Sequence, residues 1–245
     1  MQNTAQFTTF TTSTTLPVTL DLFDDLPPAP EMAQDIVAPG AVLLRGFARP
    51  QDRELLTAIA SVLAQAPLRH LQTPGGYTMS VAMSNCGALG WTSDRHGYRY
   101  CARDPLSRQP WPAMPDCFLE LARQAAAQAG YAHFQPTACL INEYVPGAKL
   151  SWHQDKDELD LSAPIVSVSL GLPAVFLFGT PHRSDRPQRH RLVHGDVVVW
   201  GGPSRLAFHG VAALADGEHA LLGRRRLNLT FRCAAPPDKR LPALG

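Results

Sequence analysis

The pattern of apolar and polar residues before the strand region predicts two helices. The segment 51–66 begins after Pro50, and Pro67 ends it. The segment 116–129 is rich in good helix formers and stops at Gly130, a residue suited to a helix C-terminus. On the first predicted helix the apolar side chains recur at helical spacing on one face, namely Leu55, Leu56, Ile59, Val62 and Leu63.

From residue 138 onward the hydrophobic pattern becomes that of β-strands. Short apolar or alternating segments are separated by turns rich in glycine and proline. Two helices before a run of strands predict an α+β domain with a jelly-roll-like core. The predicted strands are 138–144, 150–152, 164–172, 174–178, 195–200, 205–211 and 226–232.

Composition adds that the chain can bury a core and has no overall attraction for polyanions. Hydrophobic residues make up 45% of the 245 residues and charged residues 18%, while the formal net charge is +1. A surface that binds nucleic acid would therefore have to be a local patch. The five cysteines are scattered and form no CxxC pair, which argues against a disulfide framework and favours a reducing cytosol.

The two ends of the chain have the composition of poorly ordered segments. Residues 1–20 carry eight threonines and no lysine or arginine, so they lack the pattern of a targeting signal. No segment is long and apolar enough to span a membrane, and a cytoplasmic location is the expectation. We expect a disordered extension over 1–19 and a flexible, proline-rich tail over 234–245.

Candidate chemistry begins with an HxD pair formed by His153 and Asp155 after a short strand. In extended backbone, residues two apart point the same way, so the two side chains converge. A distant histidine would complete the facial triad of non-haem Fe(II) oxygenases, and His209 in the apolar stretch LAFHGV is the best candidate. A histidine satisfied by hydrogen bonds in the core is the alternative. A second HxD, His194 and Asp196, has the chemistry of a turn that leads into a buried strand.

The predicted strand 226–232 places its polar residues on one face and its apolar residues on the other. Burying two guanidinium groups is costly without an anionic partner, and a dicarboxylate in the barrel lumen would suit both. A solvated outer face would need no ligand. The polar face carries Arg226, Asn228, Thr230 and Arg232, and the strand 138–144 presents Asn142 and Tyr144 on a shared face in the same way.

Two further segments combine basic with aromatic or other polar residues. The segment 73–111 lacks clean periodicity, and its rings interleaved with cations suit a stacked base beside phosphates, or an irregular flap with ordinary core aromatics. The segment 182–191 has a local charge of +3, which suits a phosphate-facing loop or a solvated charge run. The first segment contains Trp91, Arg95, His96, Tyr98, Arg99, Tyr100 and Arg103, and the second contains Arg183, Arg186, Arg189 and Arg191.

Together these features resemble the AlkB family of Fe(II)/2-oxoglutarate-dependent dioxygenases, which act in the repair of alkylated DNA. The combination of the N-x-Y, HxDxD and RxNxxxxR patterns is specific, and the resemblance runs over about residues 20–233. It implies a single domain with a double-stranded β-helix (jelly-roll) core at about 136–233 and supporting helices. It also implies an N-terminal nucleotide-recognition lid at about 67–111. The segments that carry it are 73–91, 138–158, 164–179, 194–202 and 226–232.

The resemblance also implies a role for individual residues. Iron would be held by His153, Asp155 and His209. The far carboxylate of 2-oxoglutarate would pair with arginine, most simply Arg226, and Asp157 would face the damaged base. The full set for 2-oxoglutarate is Asn142, Tyr144, Arg226, Asn228 and Arg232, and the set for the base is Trp91, Tyr98, Tyr100, Asp157 and Arg183.

The implied reaction is oxidative demethylation of bases such as 1-methyladenine and 3-methylcytosine, with Fe(II) as cofactor and 2-oxoglutarate and O2 as co-substrates. Formaldehyde, succinate and CO2 would be released. We expect the enzyme to be a monomer that does not bind a membrane. Its expected partner is alkylated single- or double-stranded DNA. The alternative substrate is RNA or a protein side chain. A non-catalytic jelly-roll module with a structural zinc is disfavoured, because such sites usually have four protein ligands and no cysteine here is suitably spaced.

Overall fold

The computed structural model describes residues 34–235. The extension predicted at 1–19 and the tail beyond residue 235 lie outside this range. Its helices are α1 (Asp52–Gln65) and α2 (Asp116–Gln128), with short 3-10 turns at Arg49–Gln51 and Gly202–Ser204. Its strands are β1 (Gln34–Ala38), β2 (Ala41–Leu44), β3 (Arg69–Gln72), β4 (Thr78–Gly87), β5 (Gly90–Asp94), β6 (Gly97–Cys101), β7 (Ala138–Tyr144), β8 (Leu150–His153), β9 (Ile165–Gly171), β10 (Ala174–Phe178), β11 (Gln188–Leu192), β12 (Val197–Trp200), β13 (His209–Val211) and β14 (Arg226–Arg232).

The strands form a major sheet, a minor sheet and a hairpin. The major sheet has the order β1-β2-β12-β9-β14-β7-β4-β3, the minor sheet has the order β11-β10-β13-β8, and β5 pairs with β6. All the strand pairs are antiparallel. This arrangement agrees with the predicted α+β class and its jelly-roll core.

The central strands β9, β12 and β14 of the major sheet are buried on both faces, and their alternate residues enter two different hydrophobic cores. On β14, Leu229 and Phe231 pack in the core that contains the apolar faces of both helices. On β12, Val198 and Trp200 pack in a second core that contains residues of the minor sheet. The polar face of β14 is therefore enclosed between the two sheets and not solvated, because all seven of its residues are buried.

Both helices are confirmed, with α1 burying Leu55, Ile59 and Val62 and Gly130 following α2 at a φ of +91°. The strand predicted at 205–211 was too long, because residues 205–208 form a turn and an irregular stretch after a 3-10 turn and the strand begins only at His209.

Three segments differ from their sequence-based interpretation. The segment 73–111 is not irregular, because it contains the ten-residue strand β4, which is buried on both faces from Val81 to Cys86 and so shows no alternation there. Within the predicted lid at 67–111, β3 and β4 join the major sheet and only the β5–β6 hairpin forms a separate sheet. The basic segment 182–191 is a loop only in its first half, since β11 begins at Gln188. Ala234, assigned to the flexible tail, is fully buried.

Candidate active site

A pocket of about 690 Å3 opens between the major and minor sheets, with the β5–β6 hairpin contributing to its wall. Strands β7, β9 and β14 supply one side, and β8, β10 and β13 supply the other. The fold thus brings together segments that lie more than 130 residues apart in sequence. All the predicted site residues line this pocket except Tyr100.

The predicted metal ligands meet at one point of the pocket. His153 on β8 lies directly opposite His209 on β13, and their ring centroids are 4.4 Å apart. Asp155 follows β8, with Oδ1 3.6 Å from His153 Nε2 and Oδ2 3.7 Å from His209 Nε2. The three ligand atoms lie within 4.8 Å of one another, and within residues 34–235 no other set of His, Cys, Asp or Glu side chains does so. Two nitrogens and one oxygen grouped in this way fit a facial triad for Fe(II).

Hydrogen bonds to the backbone fix both imidazoles for metal binding. His153 Nδ1 lies 2.7 Å from the carbonyl oxygen of Ser151, and His209 Nδ1 lies 3.0 Å from that of Ala207. Because a carbonyl oxygen only accepts, each Nδ1 must carry the hydrogen, which leaves the Nε2 lone pair directed towards Asp155. Burial and then the neighbouring His209 lower the pKa of His153 to about 4, so its imidazole is neutral near pH 7.

Arg232 orients the carboxylate of Asp155. Its Nε and Nη2 donate to Asp155 Oδ2 at 2.8 and 2.6 Å. Burial by itself would raise the pKa of Asp155, but Arg232 and the two histidines hold it well below the usual range. The carboxylate is therefore ionised, as a metal ligand must be. Arg232 was assigned to 2-oxoglutarate from the sequence, and its guanidinium already has an acidic partner in the structure.

Arg226, unlike Arg232, has no acidic partner among the described residues. Only 1% of the residue is exposed, and its Nη2 donates to Ser169 Oγ at 3.0 Å. Its Nε and Nη1 are buried and have no hydrogen-bond partner among the described residues. The guanidinium carbon lies 4.9 Å from the centroid of the Tyr144 ring, and burial lowers the pKa of Arg226. A buried guanidinium without an anion is unfavourable, so these unpartnered N–H groups fit the carboxylate of a ligand.

Asn142 and Asn228 form a hydrogen-bonded network beside Arg226. Asn142 Nδ2 donates to Asn228 Oδ1 at 3.1 Å, while Asn142 Oδ1 is buried without a partner in the described part of the chain. Asn228 Nδ2 donates to Ser167 Oγ at 2.8 Å and to the Val168 carbonyl at 2.9 Å, and its Oδ1 also accepts from Thr230. The amide of Asn228 thus has its hydrogen-bond partners within the protein. Asn228 in turn positions Asn142, whose Oδ1 is available to a ligand.

Aromatic rings and a carboxylate line the pocket on the side of the hairpin. The Trp91 ring stacks on Tyr98, with centroids 5.6 Å apart, and its Nε1 donates to Asp157 Oδ2 at 3.0 Å. Tyr98 is 48% exposed, so the outer wall of this stack is open to solvent. Arg183 stands at the rim, where its guanidinium carbon lies 5.4 Å from the centroid of the Phe208 ring.

Tyr100 does not line the pocket, although it was predicted to contact substrate. It is buried, and its hydroxyl donates to Glu158 Oε1 at 2.7 Å. Burial raises the pKa of Tyr100 well above its usual value, so the hydroxyl remains a donor. Glu158 also accepts from Arg205 at 3.0 Å, and Arg205 donates to the carbonyl of Asp155 at 2.7 Å. Tyr100 therefore supports the segment that carries Asp155.

Sequence patterns gave no role to Glu158, Arg205, Trp152 or Phe208. The first two form a buried ion pair next to Asp155, 47 residues apart in sequence. The only sequence signal for Glu158 was the acidic run after the HxD pair, and Arg205 had no such signal. Trp152 and Phe208 each directly precede a histidine of the candidate triad in sequence, and both line the pocket.

The second HxD pair is structural, as its turn chemistry indicated. His194 lies in the turn before β12, where its Nε2 is 3.0 Å from Asp52 Oδ2 and its Nδ1 accepts from the Gly171 backbone at 3.0 Å. Asp196 accepts from the Gly46 backbone at 2.9 Å and pairs with Arg45 at 3.1 Å. Both side chains join the turn to neighbouring elements.

Replacing Asp52 with asparagine is expected to lower the free energy of unfolding by about 1 kcal/mol at pH 7. The hydrogen bond from His194 lowers the pKa of Asp52 in the folded protein. This stabilisation is therefore present above the unfolded value of about 3.9 and is lost as the pH falls through the folded value. Urea denaturation of both proteins at pH 7 and pH 3 measures the difference.

Asp116 provides the matched control, because it is the first-turn aspartate of α2. An Asp116→Asn variant reports the contribution of a helix-terminal charge without the His194 contact. An equal effect of Asp52→Asn at both pH values would contradict the assignment.

The comparisons with known proteins decide the family. A family model described as the 2OG-Fe(II) oxygenase superfamily matches residues 40–232. The chain is 62% identical over 219 residues to the alpha-ketoglutarate-dependent dioxygenase AlkB of Salmonella typhimurium strain LT2, covering 89% of this chain and 100% of the relative. The chain belongs to the AlkB family. The AlkB of Escherichia coli strain K12 is 58% identical over the same coverage of both chains.

This AlkB-family protein is therefore a dioxygenase that uses Fe(II) and 2-oxoglutarate, which confirms the predicted enzyme class and cofactors. The solved structure of OsALKBH1 has a TM-score of 0.71 and 28% identity, covering 82% of this chain and 99% of that one. It supports the predicted fold class. The residues of the triad and the unpartnered groups of Arg226 and Asn142 fit these two ligands.

Two more distant relatives have names that state a substrate. The tRNA demethylase abh1 of Schizosaccharomyces pombe is 32% identical over 60% of this chain and 53% of its own length. The DNA N(6)-methyladenine demethylase ALKBH1C of Arabidopsis thaliana is 28% identical over 80% of this chain and 49% of its own length. Among the described residues, no helix combines the length and apolar character needed to cross a membrane.

Proposed function

We propose that this enzyme removes methyl groups from ring nitrogens of bases in DNA, with 1-methyladenine and 3-methylcytosine as substrates. The observation that carries the proposal is the position of Asp157 beside the Trp91–Tyr98 stack, in the same pocket as the triad. Adenine and cytosine become cationic when methylated at these positions. A flat cation is recognised by an aromatic face and a carboxylate together.

Each group of pocket residues then has one task. His153, Asp155 and His209 would hold iron, and Arg232 keeps the carboxylate of Asp155 ionised and oriented. Arg226 would bind the far carboxylate of 2-oxoglutarate, with Asn142 and Tyr144 as further contacts. Asn228 would act by positioning Asn142. Bound Fe(II), with 2-oxoglutarate and O2, supplies the oxidation that converts the N-methyl group to hydroxymethyl, which leaves as formaldehyde while succinate and CO2 form.

A base can enter this pocket only after it leaves the helical stack, and a methylated base is easier to extract because its pairing is already disrupted. Trp91 and Tyr98 would offset part of the lost stacking energy. Because Tyr98 is half-exposed, the base can reach the ring from solvent.

The direct test is incubation with Fe(II), 2-oxoglutarate and single-stranded oligonucleotides that carry either methylated base, followed by mass spectrometry of the product. Loss of one methyl group per succinate formed is the expected result. Consumption of 2-oxoglutarate with no change in either oligonucleotide would overturn the substrate and leave the dioxygenase class intact.

RNA is the second candidate substrate, because one relative is named as a tRNA demethylase. The same methylated base in matched DNA and RNA oligonucleotides separates the two polymers. We also propose that the enzyme works as a cytoplasmic monomer, which light scattering and fractionation of cells would check.

Two arginines on β11 would contact the phosphate backbone of the nucleic acid outside the pocket. Arg189 and Arg191 are exposed and alternate along β11 on the same face. Replacing both with alanine is expected to reduce the slope of log Kd against log salt by about 1.4 for a single-stranded oligonucleotide, since each phosphate contact contributes about 0.7. Fluorescence anisotropy at several salt concentrations measures the slope.

Arg123 provides the control for this experiment. It is exposed on α2, which packs through its other face in the core on the far side of the major sheet. An Arg123→Ala variant is expected to keep the full slope. If the double variant also keeps it, β11 does not contact the backbone.

A further inference from the structure

An aromatic pair stands at the rim of the pocket, and we call Trp152 and Phe208 the rim pair. Their ring centroids are 6.0 Å apart with an interplanar angle of 23°, so the rings are stacked. Both residues are half-buried and both line the pocket. The indole also rests on Gly179, where a Cβ atom would come within 2.8 Å of the ring.

Alternation along β8 turns Trp152 away from the metal ligands, and the pairing of β8 contains a β-bulge. Along β8 and β13, His153 pairs with His209 and Leu150 pairs with Val211, so β8 has one extra residue between these two pairs. Because successive residues of a strand point to opposite faces, His153 faces the pocket interior and Trp152 packs on the other face against Phe208 at the pocket rim.

Core packing does not explain the rim pair. Neither ring belongs to the two hydrophobic cores that enclose the major sheet, nor to the partly buried side chains packed against them. Holding two half-exposed aromatic rings in a stack beside a pocket is typical of a surface that takes a flat ligand.

A cation is fixed against the same pair. The Arg183 guanidinium carbon lies 5.4 Å from the centroid of the Phe208 ring, and Nη1 donates to the Trp152 carbonyl at 3.3 Å. In return, Trp152 Nε1 donates to the Arg183 carbonyl at 3.3 Å. These reciprocal bonds hold a positive charge and an aromatic face side by side, which is the combination that binds a nucleotide through base and phosphate.

We propose that the rim pair is a stacking platform for the base adjacent to the one in the pocket, with Trp152 as the contacting ring. The inference rests on the proposed function. When one base leaves the stack, its neighbour loses a stacking partner, and an aromatic ring at the mouth of the pocket replaces it. Trp152 directly precedes a metal-ligating residue in sequence, so the platform is within one nucleotide of the reacting methyl group. Arg183 meets the phosphate that joins the two nucleotides.

Two variants distinguish the effect of ring stacking from the effect of side-chain volume at position 152. Trp152→Leu keeps an apolar side chain without a ring, and Trp152→Phe keeps a ring. With a methylated oligonucleotide, the leucine variant is expected to raise KM by roughly five- to a hundredfold, with kcat changed by less than about twofold. The phenylalanine variant is expected to stay within about threefold of the wild type. Iron content and the midpoint of thermal unfolding are measured for each protein.

The neighbouring base itself provides the decisive comparison. Methylated oligonucleotides with an abasic site on the 5′ or the 3′ side are compared with the intact strand. In the wild type, one of the two abasic sites should raise KM by the same factor as Trp152→Leu, and the leucine variant should not respond to it. A leucine variant that loses the same factor on abasic strands would show that Trp152 only supports His153, and the platform would be rejected.

The wild-type comparison needs no variant, so the test survives if Trp152→Leu fails to fold. Equal KM values for intact and both abasic strands would overturn the platform while demethylation itself stands. Absence of demethylation on every strand would instead overturn the proposed function, and the platform with it.

Discussion

Replacing Asp155 with alanine is expected to abolish stoichiometric iron binding and to lower turnover by at least about 100-fold. Asp155 supplies the only oxygen of the triad, and its carboxylate lies between the two histidines. Its removal also leaves Arg232 with Glu158 as its remaining acidic contact, at 3.5 Å. A positive charge would then face the metal site, which disfavours a divalent cation. Metal analysis after dialysis and an assay of succinate formation measure the two effects.

Asp157 offers a matched control, because it is the same residue type in the same pocket, two positions further along the chain. Its carboxylate contacts Trp91 and is not part of the triad. An Asp157→Ala variant should keep the iron and lose turnover of methylated bases. Full iron binding by the Asp155→Ala protein would overturn the metal assignment.

Replacing Arg226 with methionine is expected to raise KM for 2-oxoglutarate on the order of 100-fold. The unpartnered Nε and Nη1 of this buried arginine are the groups that fit the far carboxylate. Without 2-oxoglutarate, the same change should leave the free energy of unfolding unchanged or raise it, because a buried charge without an anion is removed. The opposite signs of the two effects distinguish a ligand-binding arginine from a structural one.

Arg225 is the control, since it is the adjacent arginine but is exposed and pairs with Glu143 at 3.0 Å. Arg225→Met should change KM by less than about twofold. Thermal unfolding gives a second readout: 2-oxoglutarate with Mn(II) should stabilise the wild type and the Arg225 variant but not the Arg226 variant. A clear loss of stability in the unliganded Arg226→Met protein would contradict the proposed role.

The polar face of β14 could be predicted because polar and apolar residues alternate strictly along the strand. The HxD spacing likewise predicted that His153 and Asp155 converge, since period-two geometry is local. The resemblance assigned both arginines to 2-oxoglutarate, and the contact of Arg232 with Asp155 could not be predicted because it spans 77 residues of sequence. Both arginines share the face of one strand, and only the fold distinguishes them.

Other features of the fold and the site could not be predicted from the sequence, each for a specific structural reason. Strand β4 has buried residues in succession from Val81 to Cys86, so the alternation that marks a half-exposed strand is absent. Alternation within β8 predicts that Trp152 points away from His153, but its stack on Phe208, 56 residues further along the chain, is set by the fold. Tyr100 had the composition of a substrate contact, but its hydroxyl is committed to Glu158, 58 residues away.

The position of the two histidines has a mechanical consequence. Strand β8 is the outer strand of the minor sheet, so β13 is its one hydrogen-bonded neighbour in that sheet. A metal ion bound by His153 and His209 would cross-link this last pair of strands. The cross-link would close a loop of more than fifty residues that includes β9 to β12. Loading the metal would therefore stabilise the edge of the sheet that carries Trp152. The ion that supplies the chemistry would then also determine how rigidly the rim of the pocket is held.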